Sequence, residues 1–307
     1  LCRDSRHFLT LKAGHDSAPH QAKIATCLEK NRHRTGKMGV VIMPNPPVNW
    51  PVDGHVHFHS LSRVEPTLDV AAAGFRAAGG RETGLLGALL LTQISGETVF
   101  EALRQASRAG SWQIFPSVDE PESLVVRRDE VAMAVVCGRQ VRAADGVEVL
   151  GLGTCATFRD GLPLQDAVLA VQGSGALTVL PWGFGKWWGA RGRRVERLVN
   201  ELGAKAVFLG DNGSRPLALG RPRLIETGER NGFRVLPGTD PFPIADGHRR
   251  VGSFGFYCDF EPPDGAPWGA LRHWLESQTN SPPAYGRATG ALRFVLDQVG
   301  LRVHKNS

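Results

Sequence analysis

From Pro51 onward, short apolar runs alternate with amphipathic stretches. "VDGHVHFH" (52–59) alternates in polarity and predicts a strand. "PTLDVAAAGFRAAGG" (66–80) predicts a helix, with Pro66 suited to the first turn and Gly79–Gly80 to the end. "LLGALLLTQ" (85–93) is continuously apolar, as strands buried on both faces are. "SGETVFEALRQASRAG" (95–110) predicts a helix capped by Ser95, with Glu97 in an acidic first turn and Gly110 as its stop. "WQIFPSV" (112–118) predicts a third strand.

The rhythm changes over 123–154, where β-branched runs are separated by "RRDE" and "AADG" and predict paired strands or a hairpin. Alternation then resumes. Helices are expected in 163–175, 190–203 and 221–232, each followed by a strand, in 176–182, 205–211 and 233–240. A strand at 251–258 and two helices, around 268–278 and 286–300, complete the pattern. Repeated strand–helix units predict a parallel sheet covered by helices. Seven or eight of them over about 250 residues favour a distorted (β/α)7-8 TIM-like barrel of the α/β class, here with a β-hairpin insertion. No G-x-G-x-x-G follows the first strand, and "GFGKWWG" (183–189) lacks P-loop spacing, so neither nucleotide-binding fingerprint is present.

The net charge of +6 is unevenly spread. Residues 1–37 hold eight Lys/Arg against three acids, which leaves the other 270 residues at only +1. This basic stretch lacks sustained apolar periodicity and stops before "MGVVIMP". It predicts a disordered or non-native leader, with translation starting near Met38 and one domain over 38–307. A basic arm or targeting segment is the rival reading. A nearly neutral body argues against nucleic acid as a partner, and no apolar run is long enough for a bilayer. Five scattered cysteines form neither a disulfide framework nor a C-x-x-C pattern and predict a reducing, cytoplasmic setting.

Three of the ten histidines, His55, His57 and His59, occupy alternate positions on the first expected strand, and no other histidine occurs until His248. Alternate residues share a strand face about 6.6 Å apart, close enough for two imidazoles to converge on one ion. The same pattern also fits histidines that hydrogen-bond one another in a polar strand mouth. Other expected strand ends carry Gln93, Asp211, Asn212 and Asp240, and Glu148 lies within "GVEVLGLG". Asp240 in "PGTDP" is suited to ligate a metal or to take a proton from water; a turn role ahead of Pro241 is its alternative. In "LPWGFGKWWGARGRR" (180–194) the aromatic residues fit either a core or a ligand wall. Lys186, Arg191 and Arg215 follow strand ends and predict a site for a small anionic substrate.

Together these motifs resemble the PHP (polymerase and histidinol phosphatase) superfamily of metal-dependent phosphoesterases. "DGHVHFHS" resembles its opening H-x-H strand, "CGRQVRAADGVEVLGLG" its ligand-bearing strand pair, "GALTVLPW" its His-Pro strand and "PGTDP" its late G-S-D-A-H turn, followed by "RRVGSFG". The resemblance spans roughly residues 51–257. It implies a PHP-type barrel in which His55 and His57 are first-strand ligands and Asp240 is the late aspartate. Gln140 stands where the family has a bridging glutamate, Glu148 in place of the next histidine, Leu180 in place of the His of His-Pro, and Phe242 in place of the turn histidine. His248 lies a few residues beyond. The resemblance therefore implies fewer than three divalent ions (Zn, Mn or Fe), held by His55, His57 and Asp240 with Glu148. The function expected is hydrolysis of a small phosphoester, with Asp240 orienting or deprotonating water and Lys186 or Arg215 neutralising substrate oxygens. Two alternatives stand beside it: a degenerate, non-catalytic barrel that binds a ligand or partner, and an amidohydrolase-like C–N hydrolase.

Overall fold

The computed structural model describes residues 49–81 and 83–306, so the expected leader over 1–37 lies outside the described residues. Pro47–Ser307 form one compact unit. Among the described residues there are thirteen strands and seven α-helices.

The first sheet contains β1 (Trp50–Val56), β2 (Leu85–Leu91), β3 (Arg108–Ala109), β4 (Trp112–Pro116), β5 (Ser123–Arg128), β6 (Val131–Val136), β12 (Phe254–Cys258) and β13 (Ala284–Gly286). Its order is β13-β12-β1-β2-β6-β5-β4-β3. Only the β1–β2 and β2–β6 pairs are parallel. The second sheet orders β11 (Val235–Gly238), β10 (Phe208–Asn212), β9 (Leu177–Pro181), β8 (Glu148–Leu152) and β7 (Gly138–Arg142). Strands β9, β10 and β11 run parallel, and β7–β8–β9 are antiparallel.

The expected (β/α)7-8 TIM-like barrel is therefore not formed: the strands make two mixed sheets, neither of which closes. The physical reason lies in 123–136. Asp129 turns in the left-handed region (φ 51°) and folds β5 back on β6 as a hairpin. Strand β6 lies parallel beside β2, as a barrel strand would, but antiparallel β5 fills its other edge, so no further parallel strand follows it. Just beyond β2 an isolated bridge ties the second sheet to the first, in which Gln93 N donates to Gly138 O at 3.0 Å and Gln140 N to Gln93 O at 2.9 Å.

The helices are α1 (Val64–Ala77), α2 (Val99–Gln105), α3 (Leu164–Gly173), α4 (Gly189–Leu202), α5 (Arg223–Arg230), α6 (Pro267–Ser277) and α7 (Ala291–Asn306). Helix α2 is shorter than expected at both ends. Its N-cap is Thr98 rather than Ser95, and the chain beyond Gln105 turns extended so that Arg108–Ala109 can pair with β4. The core has three parts. Val56, Phe75 and Phe100 pack the first sheet under α1 and α2. Inner-face residues of both sheets, including Val52, Leu90, Val179 and Phe208, share a cluster closed by Trp268, Leu271 and Leu275 of α6. Leu180, Leu209, Val195 and Ile225 fill the space between the second sheet and its helices. None of the described helices is long and apolar enough to cross a membrane.

Candidate metal centre

The two sheets also meet along a second seam, between β1 and β11. Asp240 N donates to His55 O at 2.8 Å. Gly54 and Gly238 allow this approach: a Cβ at Gly54 would stand 2.7 Å from Pro237 O, and one at Gly238 would strike the backbone of His55. Asp53, fully buried, fastens the seam by accepting from Thr239 N (2.8 Å), Thr239 Oγ1 (2.6 Å) and Gly252 N (2.9 Å). Burial pushes its carboxyl up to about 6, against the pull of these hydrogen bonds. Thr239 is thereby held, and Asp240 follows it in the left-handed region (φ 47°), which Asp tolerates better than most residues.

Strand β1 ends at Val56, so His57 lies just beyond it rather than on it. The side chains nevertheless converge. His55 Nε2 and His57 Nε2 are 3.1 Å apart, and Asp240 Oδ1 lies 3.5 Å from the first and 3.4 Å from the second. A tetrahedral ion with ligand bonds of about 2.0–2.1 Å has donor–donor edges of about 3.3 Å. The three atoms thus match one face of such a coordination shell, and their nitrogen and oxygen character suits Zn, Mn or Fe. His55, His57 and Asp240 form a group that could hold a metal ion.

The electrostatics divide the two imidazoles. Burial pushes His55 down to about 4, so it is neutral at neutral pH. Burial also opposes the charge on His57, but the Asp240 hydrogen bond and the Asp240, Glu97 and Glu148 charges outweigh it and raise its pKa. Asp240 is held below the ordinary carboxylate range, because His55, His57 and Asn212 outweigh its burial. Asn212, from the end of β10, donates through Nδ2 to Asp240 Oδ2 and to Trp182 O (3.3 Å). Its Oδ1 accepts from Ser214 N at 2.8 Å and Ser214 Oγ at 2.6 Å, so its orientation is fixed. His57 Nδ1 is buried without a hydrogen-bond partner.

The other expected site residues are placed differently. Glu148 is not among the three donors: its carboxylate forms an ion pair with Lys186. The neutral oxygen beside the centre is Gln140 Oε1, 3.2 Å from His55 Nε2. Lys186 stays close enough for its charge to act on His55. Arg215 is buried and spent on Asp211, through Nε at 2.9 Å and Nη2 at 3.1 Å. Among the described residues, Arg191 hydrogen-bonds through its side chain to the backbone of Asp145 alone. Leu180, at the expected His-Pro position, is packed in the outer core. His59 stacks on His57, but its ring nitrogens face Glu97 Oε1 (3.2 Å) and Pro241 O (3.0 Å). His57, His59 and Glu97 make a second group of metal-ligating type. A third, Glu101, Cys137 and Cys155, has its carboxylate engaged by Arg139.

Thr239 and Asn212, which set the position of Asp240, were not singled out as positioning residues by the strand-end pattern. Glu97 was read as a helix-terminal charge, since nothing local links it to His59. Gln140, marked in the sequence only by its place in "CGRQVRAADG", lies beside His55.

No family model matches the chain, and no curated protein matches it. The PHP resemblance thus rests on its motifs alone. The fold is similar to a crystal structure of PsfC from Pseudomonas syringae PB-5123, with a TM-score of 0.51 and 15% sequence identity. The match covers 82% of this chain and 97% of that one, and at this identity it bears on the fold alone.

Proposed function

We propose that the protein is a metal-dependent hydrolase of a small anionic ester, with one divalent ion held by His55, His57 and Asp240. The observation that carries this reading is the convergence of the three donor atoms within 3.1–3.5 Å of one another. A divalent ion there would supply a water of lowered pKa and polarise a substrate oxygen. The chain's own groups do the rest. Asp240, oriented by Asn212 and kept ionised, would supply the oxygen ligand; with its carboxyl held below the ordinary range it serves as a ligand rather than as a base. Gln140 limits the rotation of His55 by hydrogen bonding. Lys186 neutralises Glu148 at the rim, which lowers repulsion of an approaching anion.

The test is joint metal and activity analysis. Protein purified without chelator and offered Zn, Mn or Fe is expected to carry about one ion per chain and to hydrolyse 4-nitrophenyl phosphate, and His57→Ala to lose both. Wild type that stays ion-free under all three offers would sink the reading. Ion uptake without turnover supports the second reading, a non-catalytic binding protein, which the apolar Leu180 and neutral Gln140 favour.

A further inference from the structure

A groove of about 560 Å3 opens between the segment after β9, which leads into α4, and the segment after β10, which leads into α5. Helices that follow parallel strands begin at the carboxyl ends of those strands, where α/β sheets collect their ligands. The groove therefore lies on the edge that also presents Asp240 and Asn212, yet His55, His57 and Asp240 do not line it. Asn212 links the two places by donating both to Trp182 O and to Asp240.

Four arginines and one glutamate line the groove. Arg215 is cancelled by Asp211 and Arg221 by Glu229. No hydrogen bond or ion pair among the described residues holds the guanidinium of Arg193 or Arg223. Arg223 opens α5, whose first turn also holds Glu226, and Arg193 is the fifth residue of α4, whose first turn has no acid. At the first position of α5 the Arg223 cation opposes the positive end of the helix dipole. Neither helix has a side-chain cap at its start. Such repulsion is relieved when an anion enters between the two helix ends. Trp187 adds an independent sign. It lines the groove, is 8% exposed, and its buried indole N–H has no partner among the described residues. Trp188 beside it is 51% exposed, which leaves an aromatic face for stacking. The volume falls within the range of about 300–1,000 Å3 found for small-molecule sites.

We propose that this groove binds a small phosphate ester carrying a planar ring, of which a nucleoside monophosphate is one example. Arg193 and Arg223 grip the phosphate, and Trp188 stacks on the ring. This goes beyond the hydrolase reading and does not depend on a metal.

The test is calorimetric titration of the chelator-treated full chain with AMP, phenyl phosphate, inorganic phosphate and adenosine. AMP or phenyl phosphate is expected to bind about tenfold or more tightly than inorganic phosphate and adenosine, as expected when a ring contact and charge-assisted hydrogen bonds act together. Arg193→Ala and Arg223→Ala, both at exposed positions, should each weaken that binding by about tenfold. Trp188→Ala should reduce it to the level of inorganic phosphate. His57→Ala, which removes the ion ligand, should leave it unchanged, so that the two readings fail separately. Absence of binding by both ring-bearing phosphates, equal binding by adenosine, or wild-type affinity in both arginine variants overturns the proposal. So does loss of AMP binding in folded His57→Ala, which would place the phosphate at the ion ligands instead.

Discussion

The seam between β1 and β11 and the flank formed by β8, β9 and β10 both gather polar side chains at strand ends, but they use them in opposite ways. On the flank, opposite charges cancel: Lys186 with Glu148, and Arg215 with Asp211. On the seam, two imidazoles face each other across 3.1 Å and share one carboxylate oxygen, which no Lys or Arg among the described residues pairs with. Position at a strand end brings a group to the working edge. Whether its charge is already spent decides what it can hold. Lys186 and Arg215, marked by following strand ends, and Glu148, marked within "GVEVLGLG", are spent in this way.

That contrast can be broken by substitution. The largest effect is expected for Asp211→Ala, which leaves the buried Arg215 guanidinium without its carboxylate. Calorimetric unfolding should show a loss of about 3–5 kcal/mol, with ion uptake per folded molecule unchanged. If uptake falls as well, the flank and the seam are not separate. Asn212→Ala should do the reverse in kind. It frees Asp240 to swing, and chelator competition should show ion affinity reduced by about 10–100-fold, the usual cost of losing a partner that orients a ligand.

The pH response follows from His57. Its pKa is raised above the ordinary 6.5, so in the ion-free protein it holds a proton at pH values where a free imidazole has lost it. An ion must displace that proton. Affinity should therefore fall as pH drops through the raised value, by about tenfold per unit, with one proton released per ion bound. The same shift stabilises the ion-free fold below pH 6.5 and loses that contribution as pH rises through the raised pKa. His55, pushed down to about 4, adds nothing to proton release at neutral pH. Uptake that is independent of pH between 6 and 8 would contradict the His57–Asp240 pairing. The smallest effect belongs to Lys186→Met. The Lys186–Glu148 pair is partly exposed, and its loss should change stability by about 1 kcal/mol or less. If ion affinity rises instead, Glu148 is released to join the donors.

Much of this was legible in the sequence. Helices α1, α3, α4 and α5 and the strands before and after them lie where apolar periodicity places them. His55, His57 and Asp240 were marked by spacing and by strand-end position. The sheet connectivity was not legible. The hairpin in "SLVVRRDEVAMAVV" was expected from the "RRDE" break, but its place was not: β6 pairs with β2 and β5 with β4, which extends an open sheet. Local periodicity also carried the expected helix over 95–110 past Gln105, where pairing between Arg108–Ala109 and β4 prevails. Leu180 occupies a strand whose register alone decides between the inner and outer face, and the outer core takes it. The pairing of Arg215 with Asp211 lay within reach, since the two are four residues apart, but a loop lacks the helical spacing that would signal it.

The close contact of Gly54 with Pro237 and of Gly238 with His55 has a further consequence. The candidate ligands come from β1 and the residues just beyond it and from just after β11, so more than half of the chain lies between them. An ion there would be held only while β1 and β11 meet, and its stabilisation would be the mass-action term of a ligand that prefers the folded state. It also follows that a single cut in an exposed turn between β2 and β10 would leave both halves of the centre in one particle, held by the hydrogen bond from Asp240 N to His55 O and by the three donors that Thr239 and Gly252 turn on Asp53.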